Sequence, residues 1–364
     1  MCEKTDRQLL ALVRAGLWGT EPEGTDFAAD TDWPALRHAA RRQTVAGVAF
    51  SGVERLPAGS RPPREVILPW FADVQHIEAA NRRLDAALTE LAGRYAAEGL
   101  SPVLLKGQGL AQYYREPLRR QPGDIDLYFP TGYGRANALA AAWEGVVFHP
   151  DTKYHRAFDW KGVTVENHVR YVDFYHPANR RTWARLAASL PLTEGDVLPL
   201  DGGGAVAVPA AQMNVLYVFL HLMHHFLQVG VGLRQVCDWA CLLQRFGGKI
   251  DAALFRRQTA ALGMARAAVA LGHVVTEWLG VAPENVPADV STPRAARDGA
   301  LMLREILATG NFGHDTAMMR GFRRGHHLHN LGNYAAALCR HARIFRLCPR
   351  EVVAYPFCRL LAPD

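Results

Sequence analysis

Apolar positions along the chain change their rhythm twice. Over the first hundred residues they recur every three to four positions, which predicts helices over 7–17, 33–56 and 67–95, with Pro62-Pro63 separating the second from the third. Between 101 and 200 short β-branched runs alternate with helical stretches. They predict strands over 102–106, 125–129, 146–149 and 163–166, and helices over 109–115 and 133–143. Asp201-Gly202-Gly203-Gly204 reads as a flexible break, since it lacks the Lys-Ser/Thr ending of a phosphate loop. From Ala210 onward the helical rhythm returns, punctuated by Gly247-Gly248, Pro283, Pro287 and Pro293. Three regions are expected: 1–100, 101–200 and 201–364.

The longest uncharged stretch, 202–233, contains the apolar run 213–227. Its fully apolar core is too short to span a bilayer, and Asn214, His221, His224, His225 and Gln228 would be costly in lipid. A buried central helix is therefore expected, with His221 and His225 on one face by their i, i+4 spacing. The N-terminus carries mixed charge and no apolar signal segment. The six cysteines are scattered, only Cys237 and Cys241 lying close together, which reads as reduced thiols in a cytoplasmic protein. A hydrophobic content of 49% with 21% charged residues argues against disorder.

Candidate chemistry concentrates at Gly123-Asp124-Ile125-Asp126-Leu127. Side chains on a strand alternate between faces, so Asp124 and Asp126 share one face, about 6–7 Å apart. Alone, such a pair is more often a solvated edge. Here Ile125 and Leu127 point the other way into a core, and a second strand, 163–166, ends in an acid. Hard divalent cations prefer carboxylate oxygens, and a two-metal site needs shared carboxylates. Glu166 is the expected third ligand beside Asp124 and Asp126, for Mg²⁺ with Mn²⁺ as the alternative.

The order Leu105-Lys106-Gly107, a helix, Arg120-x-x-Gly-Asp-Ile-Asp-Leu127, then a strand carrying Glu166 two residues before His168 resembles the uncharacterised nucleotidyltransferase family of the DNA polymerase β-like superfamily. His221-x-x-x-His225 followed by Leu233-Arg-Gln-Val-Cys-Asp238 is similar to the helical region of that family. The resemblance spans roughly 103–240, with a looser echo over 33–57. It implies an α+β fold, in which a small mixed-sheet nucleotidyltransferase core over 101–200 is embedded between an N-terminal helical region and a C-terminal helical domain. It also implies Asp124, Asp126 and Glu166 as metal ligands, Gly107 in the turn facing a triphosphate with Lys106 beside it, and Gln108, Arg120 and His168 as further nucleotide-binding residues, Lys106 or Arg120 stabilising charge on the phosphates. The broader superfamily has Gly-Ser or Gly-Gly in that turn. Here Gln108 follows Gly107, and its amide can still donate a hydrogen bond.

The implied activity is metal-dependent transfer of a nucleoside monophosphate from a nucleoside triphosphate to an acceptor hydroxyl, with release of pyrophosphate. The acceptor is a small molecule, a protein side chain or an RNA end, and no membrane is involved. One alternative is a non-catalytic nucleotide- or RNA-binding module whose metal site is weakened by Gln108. Another is metal-dependent phosphoester hydrolysis.

Charge adds one more candidate. The formal net charge is +6, yet 316–350 holds seven arginines (Arg320, Arg323, Arg324, Arg340, Arg343, Arg346, Arg350) and no acid. With Phe322, Tyr334 and Phe345 among them, they form either a polyanion-binding patch or a set of arginines paired with acids elsewhere or solvated on a helix face.

Overall fold

The structure, a computed structural model, describes residues 3–22, 27–28, 30–150, 152–190, 192, 195–310 and 338–361. Four helices open the chain: α1 (Lys4–Trp18), α2 (Trp33–Arg42), α3 (Ala46–Val53) and α4 (Arg64–Ala97). Asp32 starts α2 by accepting from the Ala35 amide at 3.0 Å, with a proline in the first turn. The helix expected over 33–56 is thus two helices, broken where Thr44 takes φ 54°. Tertiary bonds account for the break. The Gln43 side chain accepts from the Leu233 amide at 3.1 Å and donates to the Ile306 and Leu307 carbonyls at 3.3 and 3.1 Å.

The middle of the chain holds β1 (Val103–Leu104), α5 (Gln108–Ala111), β2 (Ile125–Tyr128), α6 (Tyr133–Ala141), β3 (Val147–Phe148), β4 (His155–Trp160), β5 (Val163–His168), α7 (Pro177–Ser189), β6 (Val197–Pro199) and β7 (Ala205–Ala207). One sheet takes them in the order β3-β4-β5-β2-β1-β7-β6. The β2/β5 and β1/β7 pairs are parallel and the rest antiparallel, so the sheet is mixed and the fold α+β. Asp201–Gly204 is no break: the Leu200 amide bonds the Gly204 carbonyl at 2.9 Å, closing a β6–β7 hairpin. The sheet therefore takes its last strand from just past residue 200. Strand β4, polar in composition, is joined to β5 by a two-residue turn in which Lys161 and Gly162 have φ 51° and 76°, as tight hairpins require.

Helices α8 (Ala211–Gln228), α9 (Leu233–Phe246), α10 (Ala252–Ala261), α11 (Ala265–Glu277), α12 (Pro293–Thr309) and α13 (Pro349–Leu361) follow, and 338–344 is also helical. Helix α8 is the buried central helix, pinned by the Trp239 indole donating to the Val215 carbonyl at 3.1 Å. No described helix is long and apolar enough to cross a membrane. Two cores form. One face of the sheet, with Ile125, Leu127, Val163 and Val165, packs on Leu88, Leu91 and Tyr95 of α4 and Ala136 and Ala140 of α6. The larger core joins α1–α3 and the first half of α4 to α8, α9, α11 and α12. The sheet's polar face is left to carry chemistry.

Candidate active site

Strands β2 and β5 lie parallel with Ile125 opposite Val165 and Asp126 opposite Glu166. Directly paired residues project to the same face. Since Ile125 and Val165 enter the apolar core, Asp126 and Glu166 project from the other side, towards α8 and α9. Asp124 joins them from the turn before β2, and one oxygen from each of the three carboxylates lies within 4.8 Å of the others. They line a cavity of about 670 Å³ together with Lys106, His168 and His221. Asp126 is fully buried, and its Oδ2 has no hydrogen-bond partner among the described residues. A desolvated carboxylate oxygen without a partner is costly. This donor set therefore fits a hard divalent cation.

Two cations flank the carboxylates. The Lys106 Nζ lies 3.0 Å from Asp126 Oδ1 and 3.3 Å from His221 Nε2. Burial opposes the ammonium charge, but Asp126, with Asp124 and Glu166 farther off, outweighs it and raises the lysine pKa. His168 Nε2 lies 2.9 Å from Asp126 Oδ1 and 3.1 Å from Glu166 Oε2, while its Nδ1 faces the Arg170 carbonyl at 3.2 Å. Burial opposes its charge too, yet the hydrogen bonds to Asp126 and Glu166 raise its pKa to about 9. Burial pushes Asp126 and Glu166 upward in turn. Lys106 and His168 hold Asp126 below the usual carboxylate range, and the His168 hydrogen bond does the same for Glu166. His155, 3.6 Å from Glu166 Oε1, has its pKa lowered by burial.

The remaining expected residues have definite places. Gly107 adopts φ 55° and ψ −119°, and a Cβ there would stand 3.0 Å from the Asp124 carbonyl oxygen. Only glycine takes this backbone without strain. Gln108 turns to α4, its amide donating to Asp85 Oδ1 at 2.6 Å. Arg120 is buried, with Nε and Nη2 on the two Asp238 oxygens at 2.7 and 2.9 Å, and its carbonyl accepts from Asn81 Nδ2 at 2.7 Å. Asp238, His155 and Arg234 at this cavity were not anticipated as site residues. Asp238 closes the Leu233–Asp238 motif, and the Lys161-Gly162 turn is the signal that would have brought His155 beside His168. His221 and His225 do share a face, their rings 4.5 Å apart.

Of the arginine-rich segment, Arg320, Arg323, Arg324, Phe322 and Tyr334 lie outside the described residues. Arg343 pairs with Glu305 at 2.7 Å, Arg346 with Asp298 at 2.9 Å, and Arg350 donates to the Ala261 carbonyl at 2.8 Å. Buried Arg340 donates to the Phe226 carbonyl and, at 3.3 Å, to the Leu227 carbonyl, near the end of α8. Arg340, 3.6 Å from Glu305, Arg343 and Arg346 follow the paired-arginine reading, while Arg350 is held by a backbone carbonyl.

A family of uncharacterised nucleotidyltransferases matches residues 29–280, a span that contains every strand and the whole carboxylate cluster. Neither a curated protein nor a solved structure matches the chain.

Proposed function

The chain belongs to the uncharacterised nucleotidyltransferase family, and from that membership we propose that it moves a nucleoside monophosphate from a nucleoside triphosphate to an acceptor hydroxyl, releasing pyrophosphate. The observation that carries this reading is the convergence of Asp124, Asp126 and Glu166 around the unpartnered Asp126 Oδ2. These three residues would hold Mg²⁺ or Mn²⁺, which when bound supplies Lewis-acid polarisation of phosphoryl oxygens.

The chain's own groups do the rest. Glu166, kept ionised by His168, takes the proton of the acceptor hydroxyl. As that oxygen bonds to the α-phosphorus, the bond from phosphorus to the bridging oxygen breaks and pyrophosphate leaves. Lys106 moves its charge from Asp126 to the phosphates, a shift its position on the cavity wall permits. Gly107 keeps the turn free of a side chain where the phosphates approach. Gln108 and Arg120, held by Asp85 and Asp238, support that turn and the approach to β2 from behind. Helices α8 and α9 form one wall of the cavity.

The test is to incubate the protein with each α-labelled nucleoside triphosphate and Mg²⁺ or Mn²⁺ in a cell extract. Label entering protein, RNA or a small-molecule fraction names donor and acceptor class together. No transfer and no pyrophosphate from any of them would exclude the reading. One observation favours a second reading, a non-catalytic nucleotide-binding module. Lys106 and His168 already neutralise Asp126 and Glu166 within hydrogen-bond distance. That reading expects nucleotide binding with no dependence on added metal and no pyrophosphate.

A further inference from the structure

Arg234, at the start of α9, lines the same cavity as the three carboxylates. Its Nη1 donates to the Pro122 carbonyl at 3.1 Å, but Nε is buried without a partner. Among the described residues Arg234 makes no ion pair. The nearest candidate, Asp238, is engaged by Arg120 through both oxygens and by the Tyr114 hydroxyl at 2.7 Å. Burial pulls the Arg234 pKa below its usual value and the neighbouring Arg120 charge adds to the effect, an outcome that the weaker attraction of Asp238 and Asp124 does not reverse.

The position is as informative as the missing counter-ion. A Cβ on Gly123 would stand 3.3 Å from Arg234 Nη1. The guanidinium therefore lies close against the Pro122-Gly123 backbone that leads into Asp124. A desolvated cation without an anion is destabilising, and a protein keeps one where a ligand supplies the charge. The planar fork of a guanidinium matches phosphate oxygens in pairs, which an ammonium cannot do. The other two cations beside the carboxylates, Lys106 and His168, have carboxylate partners, which Lys106 must leave before it reaches phosphate, whereas Arg234 has no such pair to break among the described residues.

We propose that Arg234 binds the polyphosphate tail of the donor nucleotide, its unengaged N–H groups taking non-bridging oxygens of the phosphates that leave as pyrophosphate. The proposal rests on the nucleotidyl-transfer reading for the identity of the ligand and adds the residue that recognises it. Arg234 is then a substrate-binding group, whereas Arg120, which the sequence pattern suggested for that task, positions the loop before β2.

The experiment uses the full chain with inorganic tripolyphosphate and Mn²⁺ as the probe, read by calorimetry, and Mn²⁺ alone, read by electron paramagnetic resonance. Arg234→Gln is expected to weaken tripolyphosphate binding by about ten- to a hundredfold, the loss of charge-assisted hydrogen bonds, and to leave binding of Mn²⁺ alone no weaker. A merely structural role would weaken both together through a disturbed Asp124 loop. Equal tripolyphosphate affinity in variant and wild type overturns the assignment of Arg234 while leaving nucleotidyl transfer standing. A wild-type protein that binds neither tripolyphosphate nor any nucleoside triphosphate overturns both. Should Arg234→Gln not fold, Arg234→Lys carries the same comparison. It keeps the charge but not the fork and is expected to lose at least about threefold in affinity, with no loss overturning the proposal.

Discussion

Arg120 and Asp238 form a buried two-pronged ion pair that ties the loop before β2 to helix α9. Asp124 and Asp126 follow Arg120 closely along the chain, and Arg234 lies one turn before Asp238. The pair therefore sets the spacing between the carboxylates on the sheet and the guanidinium on the helix. Removing one partner leaves the other charge buried and unmatched. Arg120→Ala or Asp238→Ala should each cost about 3–5 kcal/mol of unfolding free energy, and Arg120→Met with Asp238→Leu together less than the sum. Urea denaturation reads this directly. Single losses below about 1 kcal/mol would mean that the pair does not hold the loop.

If the three carboxylates hold the metal, Asp124→Asn, Asp126→Asn and Glu166→Gln should each lower nucleotidyl transfer on the order of a hundredfold or more, because amide oxygens bind hard cations poorly. Asp124→Asn is the cleanest of the three. Asp126→Asn also strips Lys106 of its carboxylate partner and leaves His168 only Glu166, so it should lower the melting temperature as well. Near-wild-type pyrophosphate release by any of these variants would remove that residue from the ligand set.

Asp124, Asp126 and Glu166 were legible in the sequence as candidates because they rest on period-two alternation and on a second strand that carries an acid. The register that makes them a cluster was not. Asp126 faces Glu166 only because β2 and β5 pair in parallel, a long-range choice that no local pattern encodes. Lys106 on Asp126, Gln108 on Asp85 and Arg120 on Asp238 join segments far apart in the chain. The helix break at 43–45 has the same origin, since Gln43 answers to residues 233, 306 and 307. Strand β4 escaped notice because its polar residues His155, Arg156 and Asp159 fall on both faces and break the alternation a half-buried strand shows.

Protonation of His168 links stability to pH in the metal-free protein. Its pKa is raised from 6.5 to about 9, so its contribution is complete below about pH 6.5 and is lost as the pH rises through 9. Asp126, depressed, contributes above the ordinary carboxylate range and loses that contribution as the pH falls through its lowered value. His168→Gln should abolish the alkaline decline, seen by comparing melting temperatures of variant and wild type from about pH 6 to about pH 10. Cations compete with this proton, so Mn²⁺ affinity of the wild type should rise over the same alkaline interval. A variant with an unchanged alkaline decline would show that another group governs it.

Gly107→Ala places a Cβ 3.0 Å from the Asp124 carbonyl in a backbone region that disfavours side chains. The expected cost is about 1–3 kcal/mol, with nucleotidyl transfer reduced because the displaced carbonyl belongs to Asp124, a proposed metal ligand. Unaltered stability and transfer together would mean that the turn is more permissive than its geometry requires.

Arg343, Arg346 and Arg350 are engaged by Glu305, Asp298 and the Ala261 carbonyl, so these positions should contribute little to any binding of RNA. Each phosphate neutralised by a cation releases condensed counter-ions and steepens the salt dependence of affinity. Arg343→Ala with Arg346→Ala should therefore leave the salt slope for bulk cellular RNA unchanged. Both side chains are about half exposed, and their loss should cost only about 0.2–1 kcal/mol each in stability. Arg340 is different. It is buried against the end of α8 and lies 3.6 Å from Glu305, so Arg340→Ala should cost about 3–5 kcal/mol with no effect on the slope. A slope that flattens when Arg343 and Arg346 are removed would show that these arginines leave their acids for phosphate, and the paired reading of this segment would fail.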